Sequence, residues 1–152
     1  MIETIEGTIG IYGATLVVAI ASGFIPLINI EIYLIAVCLL TRSLPLAILL
    51  GVIAAAGQMV AKVGIYKASR AGTNLSKPDP KGKLARAREV MARWKDKPHL
   101  LTFVSASTGI PPFFIVSIVA GVLELPFIAF LAVGLLGRTI RFVVVAVVWV
   151  MV

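Results

Sequence analysis

The chain is written as long apolar runs interrupted at a few polar or helix-breaking positions. Residues 8–40 form a run of 33 with a single charge, Glu31. Residues 44–66 carry only Lys62, residues 100–123 carry no charge, and residues 125–152 carry only Arg138 and Arg141. A helix needs about 20 residues to cross a bilayer, so the second and fourth runs each predict one transmembrane helix, over 44–66 and 125–152. The first run is too long for one crossing and too short for two at about 20 residues each plus a turn. Gly23 and Pro26 break it near its middle. That predicts a re-entrant hairpin over 8–40, two half-helices that enter and leave by the same face. The third run, 99–123 with His99 at its entry, is divided by Gly109, Pro111 and Pro112 into halves too short to cross alone. A second re-entrant hairpin and a proline-kinked span both fit it. Broken backbone at membrane depth survives only inside protein or beside a water-filled cavity, so each break marks a site.

An internal repeat favours the second hairpin. GFIPLIN (23–29) is echoed by TGIPPFF (108–114), and SLPLAILL (43–50) by ELPFIAFL (124–131). Each half then reads as broken hairpin, Leu-Pro turn and one full span, and the two spans run in opposite directions. The predicted fold class is an all-α integral membrane protein with an inverted-topology repeat, a design found in many secondary transporters. Each half is a re-entrant helical hairpin plus a transmembrane helix, within a single membrane domain over 1–152.

Composition agrees. The chain is 60% hydrophobic and 14% charged, with a mean hydropathy of +1.06, against about 45–50% apolar and about 25% charged in a soluble domain. The lone Cys38 excludes an intramolecular disulfide. Ten of the fourteen basic residues lie between Lys67 and Lys97, with three acids, Asp79, Glu89 and Asp96. Basic loops stay in the cytoplasm, so 67–98 is expected inside and the N-terminus outside, in a multi-pass plasma-membrane protein. Glu3 and Glu6 stand where a signal peptide would be basic, so the first run is expected to be retained. Within the loop, Leu84, Ala87, Met91 and Trp94 recur at helical spacing and Glu89 stands four residues before Arg93. With Asp79-Pro80 as its start signal, this predicts an amphipathic helix in contact with anionic lipid headgroups. Nucleic acid is not an expected partner, because the basic run carries no recognition motif.

The intramembrane polar residues carry the candidate chemistry. A carboxylate in the hydrocarbon region usually faces a bundle interior or a cavity, which makes Glu31 the leading candidate. Arg138 and Arg141 share one helix face near mid-membrane and need partners, so an ion pair of one of them with Glu31 is expected. Two arginines against one acid leave a positive charge that a phosphate would satisfy through bidentate hydrogen bonds. Asn29 would support the broken turn or coordinate an ion, and Gln58 is a further candidate on the second span. Lys62 is expected to reach the cytoplasmic surface. The stripe Ala54, Gly57, Ala61, Gly64 and Ala68 suits close helix packing. The sequence has no metal-ligand cluster, nucleophile-plus-base pattern or phosphate-cradling glycine loop, so neither a cofactor nor enzymatic activity is expected.

The order of these motifs resembles the DedA/VTT (SNARE-associated) membrane superfamily, most closely its short YqaA-like branch. The resemblance is carried by GFIPLINIEIYLIA with Glu31, by LPLAILLGVIAAAGQ, and by PPFFIVSIVAGVLELPFIAFLAVGLLGRTIRF with Ala120-Gly121 and Gly137-Arg138…Arg141-Phe142. It implies paired re-entrant hairpins and the movement of lipid phosphates, either polyprenyl-phosphate carriers or phospholipids, by flipping or scrambling. It also implies functional roles for Glu31, Arg138 and Arg141. A homodimer in contact with membrane lipids is the expected assembly. Two other functions suit the same residues: a proton-coupled exporter of small hydrophobic compounds, and a non-transporting membrane assembly or homeostasis factor.

Overall fold

Helix capping and chain breaks set the elements. The structure, a computed structural model, describes residues 2–25, 27–72, 85, 89, 92–94 and 96–152. Among these the regular structure is helical, with no strand. The principal helices are α1 (Ile2–Phe24), α2 (Ile30–Thr41), α3 (Leu44–Ala71), α4 (Pro98–Thr108), α5 (Phe113–Val122) and α6 (Phe127–Met151). Three contain apolar segments long enough to cross a membrane: Glu6–Phe24 within α1, Leu44–Ala71 and Phe127–Met151. That is the make-up of an integral membrane protein.

The first helix is longer than the apolar run alone predicts. It starts at Ile2 rather than at residue 8, with Glu3 in its first turn, where acids complement the helix dipole. Its length of 23 residues therefore exceeds that of a half-helix. It runs through Gly23 and ends at Phe24; Pro26 lies outside the described residues. The chain then turns through 25–29, and Asn29 caps α2 by accepting a 2.9 Å hydrogen bond from the Glu31 backbone N–H. α2 closes at Arg42, which is left-handed (φ 44°) and donates its N–H to the Cys38 carbonyl at 2.9 Å.

Two compact units divide the chain. Unit 1 holds α1, α2, the Leu44-to-Ala61 part of α3 and the part of α6 from Arg138 onward. Its core gathers Ala19, Ile30, Leu34, Leu50, Ala54, Ala55 and Phe142, with a second cluster of Cys38, Ala47 and Ala146. Thr15 and Tyr33 join α1 to α2 through their hydroxyls at 3.2 Å. The small-residue stripe is used for packing in its first half only: Ala54, Gly57 and Ala61 are buried, whereas Gly64 and Ala68 are exposed.

Unit 2 holds the remainder of α3, α4, α5 and the first part of α6, up to Gly137. Pro98 opens α4, where a missing N–H costs nothing. Gly109 closes it at φ 80°, the left-handed conformation that glycine adopts without strain. A turn over 109–112 containing a cis Ile110–Pro111 bond leads into α5, and Ser105 donates to the Pro111 carbonyl at 2.5 Å. α4 and α5 pack together, with 11 and 10 residues respectively. Tyr66 ties α3 to the turn before α6 and to α6 itself. Its hydroxyl donates to the Leu125 carbonyl and its ring stacks on Phe130 at 4.8 Å.

One packing motif recurs in the two units. A Cβ built on Gly57 of α3 would meet the Ala19 Cβ at 2.7 Å and the Leu16 carbonyl at 3.1 Å, both on α1. A Cβ built on Gly137 of α6 would meet the Ala106 Cβ at 2.7 Å and the Phe103 carbonyl at 3.1 Å, both on α4. In each unit the long helix therefore lays a bare glycine against an alanine and the carbonyl three residues before it. Of the basic-loop helix, Glu89 and Arg93 are described and pair at 3.4 Å; Leu84, Ala87, Met91, Asp79 and Pro80 lie outside the described residues.

Candidate functional site

The chain break before α2 places Glu31 in the first turn of that helix. Its carboxylate accepts from the Arg141 guanidinium of α6 in a partly buried ion pair, the two side chains being 26% and 24% exposed. Arg138, three residues earlier on α6, is buried and lies over the Phe142 ring at 5.6 Å. Of the two pairings the sequence leaves open, the structure therefore makes Glu31–Arg141.

A second polar cluster lies where α1 meets α3. Gln58 donates through Nε2 to Ser22 Oγ at 2.8 Å, and Ser22 spends its own proton on the Ala19 carbonyl at 2.9 Å. That chain of donors fixes the amide orientation and leaves the buried Gln58 Oε1 with no hydrogen-bond partner among the described residues. The same approach crowds Gly23, where a Cβ would meet the Ala61 side chain and, at 3.3 Å, the Gln58 carbonyl. Gln58 thus belongs to the α1–α3 contact, and Asn29 is a helix cap. Ser22 is a polar partner in that contact which the apolar-run reading passes over, although a hydroxyl directly before Gly23 is a readable signal. Ser22→Ala should lower stability by about 1–3 kcal/mol, because the Gln58 amide then loses its acceptor in a buried place. Thermal unfolding in detergent measures this, and adding Gln58→Met should restore most of the loss.

The other breaks, Gly109, Pro111 and Pro112, sit together in the α4–α5 turn of unit 2. In that unit Lys62 departs from expectation. It is buried at 5% exposure rather than turned to the surface, since α3 continues nine residues beyond it, to Ala71. Its ammonium lies over the Phe114 ring at 5.3 Å. Cys38 is a buried free thiol, as a small apolar residue would be, and His99 is exposed in the first turn of α4.

No family model, curated protein or solved structure matches the chain. The site is therefore read from its own chemistry. Glu31, Arg138 and Arg141 sum to a formal charge of +1 in a helical unit with an apolar core. Guanidinium groups there can take a phosphate or carboxylate in bidentate fashion, and a carboxylate beside them can exchange partner or proton. Among the described residues no group of His, Cys, Asp and Glu could hold a metal ion.

Proposed function

We propose that this protein is a DedA/VTT-like membrane transporter that moves a lipid phosphate across the bilayer, with Glu31 as its proton-linked acid and Arg138 and Arg141 as its headgroup contacts. The observation that carries the reading is the partly buried Glu31–Arg141 pair with Arg138 beside it. Charged groups in apolar helices are costly and generally mark a transport pathway. Protonation of Glu31 would release Arg141 to a phosphate, and return of the proton would restore the ion pair. The two hairpins are re-entrant in this reading, related as an inverted repeat, with loop 67–98 cytoplasmic and both termini outside the plasma membrane. Two features support it. Each unit combines one helical pair with parts of α3 and α6, and the Gly57 and Gly137 contacts are matched. Anionic lipids at the basic loop and a second copy of the chain are its partners.

The test is movement of NBD-labelled phosphatidate in proteoliposomes, read by dithionite access. The reconstituted chain should expose inner-leaflet label at least tenfold faster than empty vesicles, and an equal rate rejects the reading. Architecture is checked separately. A reporter fused after Val152 that works only outside the cytoplasm should be active, because two crossings and two hairpins leave that end outside. An inactive reporter would turn the second hairpin into a kinked span.

A further inference from the structure

Among the described residues, the last turns of α3 hold two cations in place with no acid against either. The apolar run 44–66 ends at Tyr66, and Lys67 and Arg70 follow on α3 itself, both exposed and three residues apart. Residues at that spacing share a helix face. The Lys67 ammonium lies over the Phe127 ring at 5.3 Å. The Arg70 guanidinium donates through Nη1 to the Tyr66 hydroxyl at 3.1 Å, and that hydroxyl spends its own proton on the Leu125 carbonyl. The end of α5 closes on the same turns. A Cβ built on Gly121 would meet the Ser69 side chain at 2.8 Å and the Arg70 backbone nitrogen at 3.0 Å.

A ring and a phenol position these cations but do not neutralise them. Neither forms an ion pair among the described residues, although Glu124 stands exposed in the same α5–α6 turn. The basic loop differs, because there Arg93 pairs with Glu89 and Lys97 follows Asp96. Place matters as much as charge. Tyr66 ends one apolar run and Phe127 begins the helix of another, so their contact sets this end of unit 2 at a membrane face. Aromatic residues gather there, at the level of the headgroups. A guanidinium that can bind in bidentate fashion, beside an ammonium, matches one lipid phosphate. We propose that Lys67 and Arg70 form a headgroup site for an anionic phospholipid, in the leaflet from which the basic loop leaves. This rests on the reading of anionic lipids as partners of that loop, gives them two named residues, and does not need lipid movement.

The experiment titrates the full chain in detergent with dihexanoyl phosphatidylglycerol, and separately with dihexanoyl phosphatidylcholine and glycerol 3-phosphate. The unaltered chain should bind phosphatidylglycerol at least tenfold more tightly than either. Attraction near a membrane surface is worth about fivefold in affinity per cation, so Lys67→Gln with Arg70→Gln should weaken phosphatidylglycerol at least tenfold. Lys67→Arg should stay within threefold of the unaltered chain. Arg93→Gln with Lys97→Gln removes the same charge from the loop and should also stay within threefold. Equal weakening by the two pairs means a diffuse field and overturns the proposal, as does unchanged affinity in the Lys67 and Arg70 pair. Glycerol 3-phosphate bound as tightly as phosphatidylglycerol assigns the cations to a free anion and overturns it too. Should the α3 variant not fold, phosphatidylglycerol with a diazirine in its headgroup should label 66–70 or 123–127 of the unaltered chain, and labelling confined to other segments overturns it. Selective binding without any phosphatidate movement sinks the transport reading and leaves this one. Movement without selective binding does the reverse.

Discussion

Glu31→Gln is expected to slow phosphatidate movement at least tenfold and to abolish its response to pH. The carboxylate is the only acid inside an apolar run, and it is held against Arg141 in the structure. Glutamine keeps the shape and the hydrogen-bonding reach but cannot take up a proton or neutralise a guanidinium. Transport rates in proteoliposomes with and without an imposed proton gradient give the readout, and Glu31→Asp should retain part of the response. Unchanged rates in Glu31→Gln would remove this residue from the mechanism. The same substitution has a stability arm. Removing one partner of a fully buried pair costs about 3–5 kcal/mol, but this pair is a quarter exposed, so a loss of about 1–3 kcal/mol is expected. Arg141→Gln should cost a similar amount, and the double substitution should cost less than the sum, because neither charge is then stranded. Strict additivity in that cycle would mean that the pair is not formed in the folded protein.

Gly57→Val and Gly137→Val are expected to destabilise the chain, each by about 1–3 kcal/mol through overpacking, or to prevent folding. Either side chain would begin 2.7 Å from an alanine Cβ and 3.1 Å from a backbone carbonyl oxygen. The helices must separate, since a carbonyl in a helix cannot move aside alone. Valine is the informative choice. Alanine would recover about 1 kcal/mol of helix propensity over glycine and mask part of the clash. The two losses should match, because the two contacts do. Thermal unfolding in detergent reads this, with Gly64→Val, at an exposed position of the same α3 stripe, as the control. A large loss at one glycine and none at the other would end the equivalence on which the repeat is argued.

Local features are legible in the sequence because their causes are local. The end of α1 within one residue of Gly23, the Gly109-Pro111-Pro112 break and the Leu-Pro starts of α3 and α6 all depend on backbone chemistry within a few residues. The extension of α1 to Ile2 is not legible from hydropathy, since Thr8 opens the apolar run, whereas helix formation also counts the dipole-matched acid Glu3. For Asn29 the sequence allows either a support for the turn or an ion ligand, and the structure uses it as the cap of α2. Its neighbours decide that, since a short polar side chain two residues before a backbone N–H is already occupied.

The sequence by itself determined an all-helical, membrane-type chain, the places where its helices break, and which polar residues stand inside apolar runs. Tertiary structure alone decided that Glu31 takes Arg141, which is 110 residues away, that Lys62 turns inward onto Phe114, and that Ser22 orients Gln58. The reason is physical. Lipid is as apolar as a packed interior, so a spanning helix is hydrophobic on every side and its pattern does not say which face meets a neighbour. Where α3 carries Gly57 and Gln58 side by side, only the position of α1 shows that one is a contact and the other a buried hydrogen-bond donor.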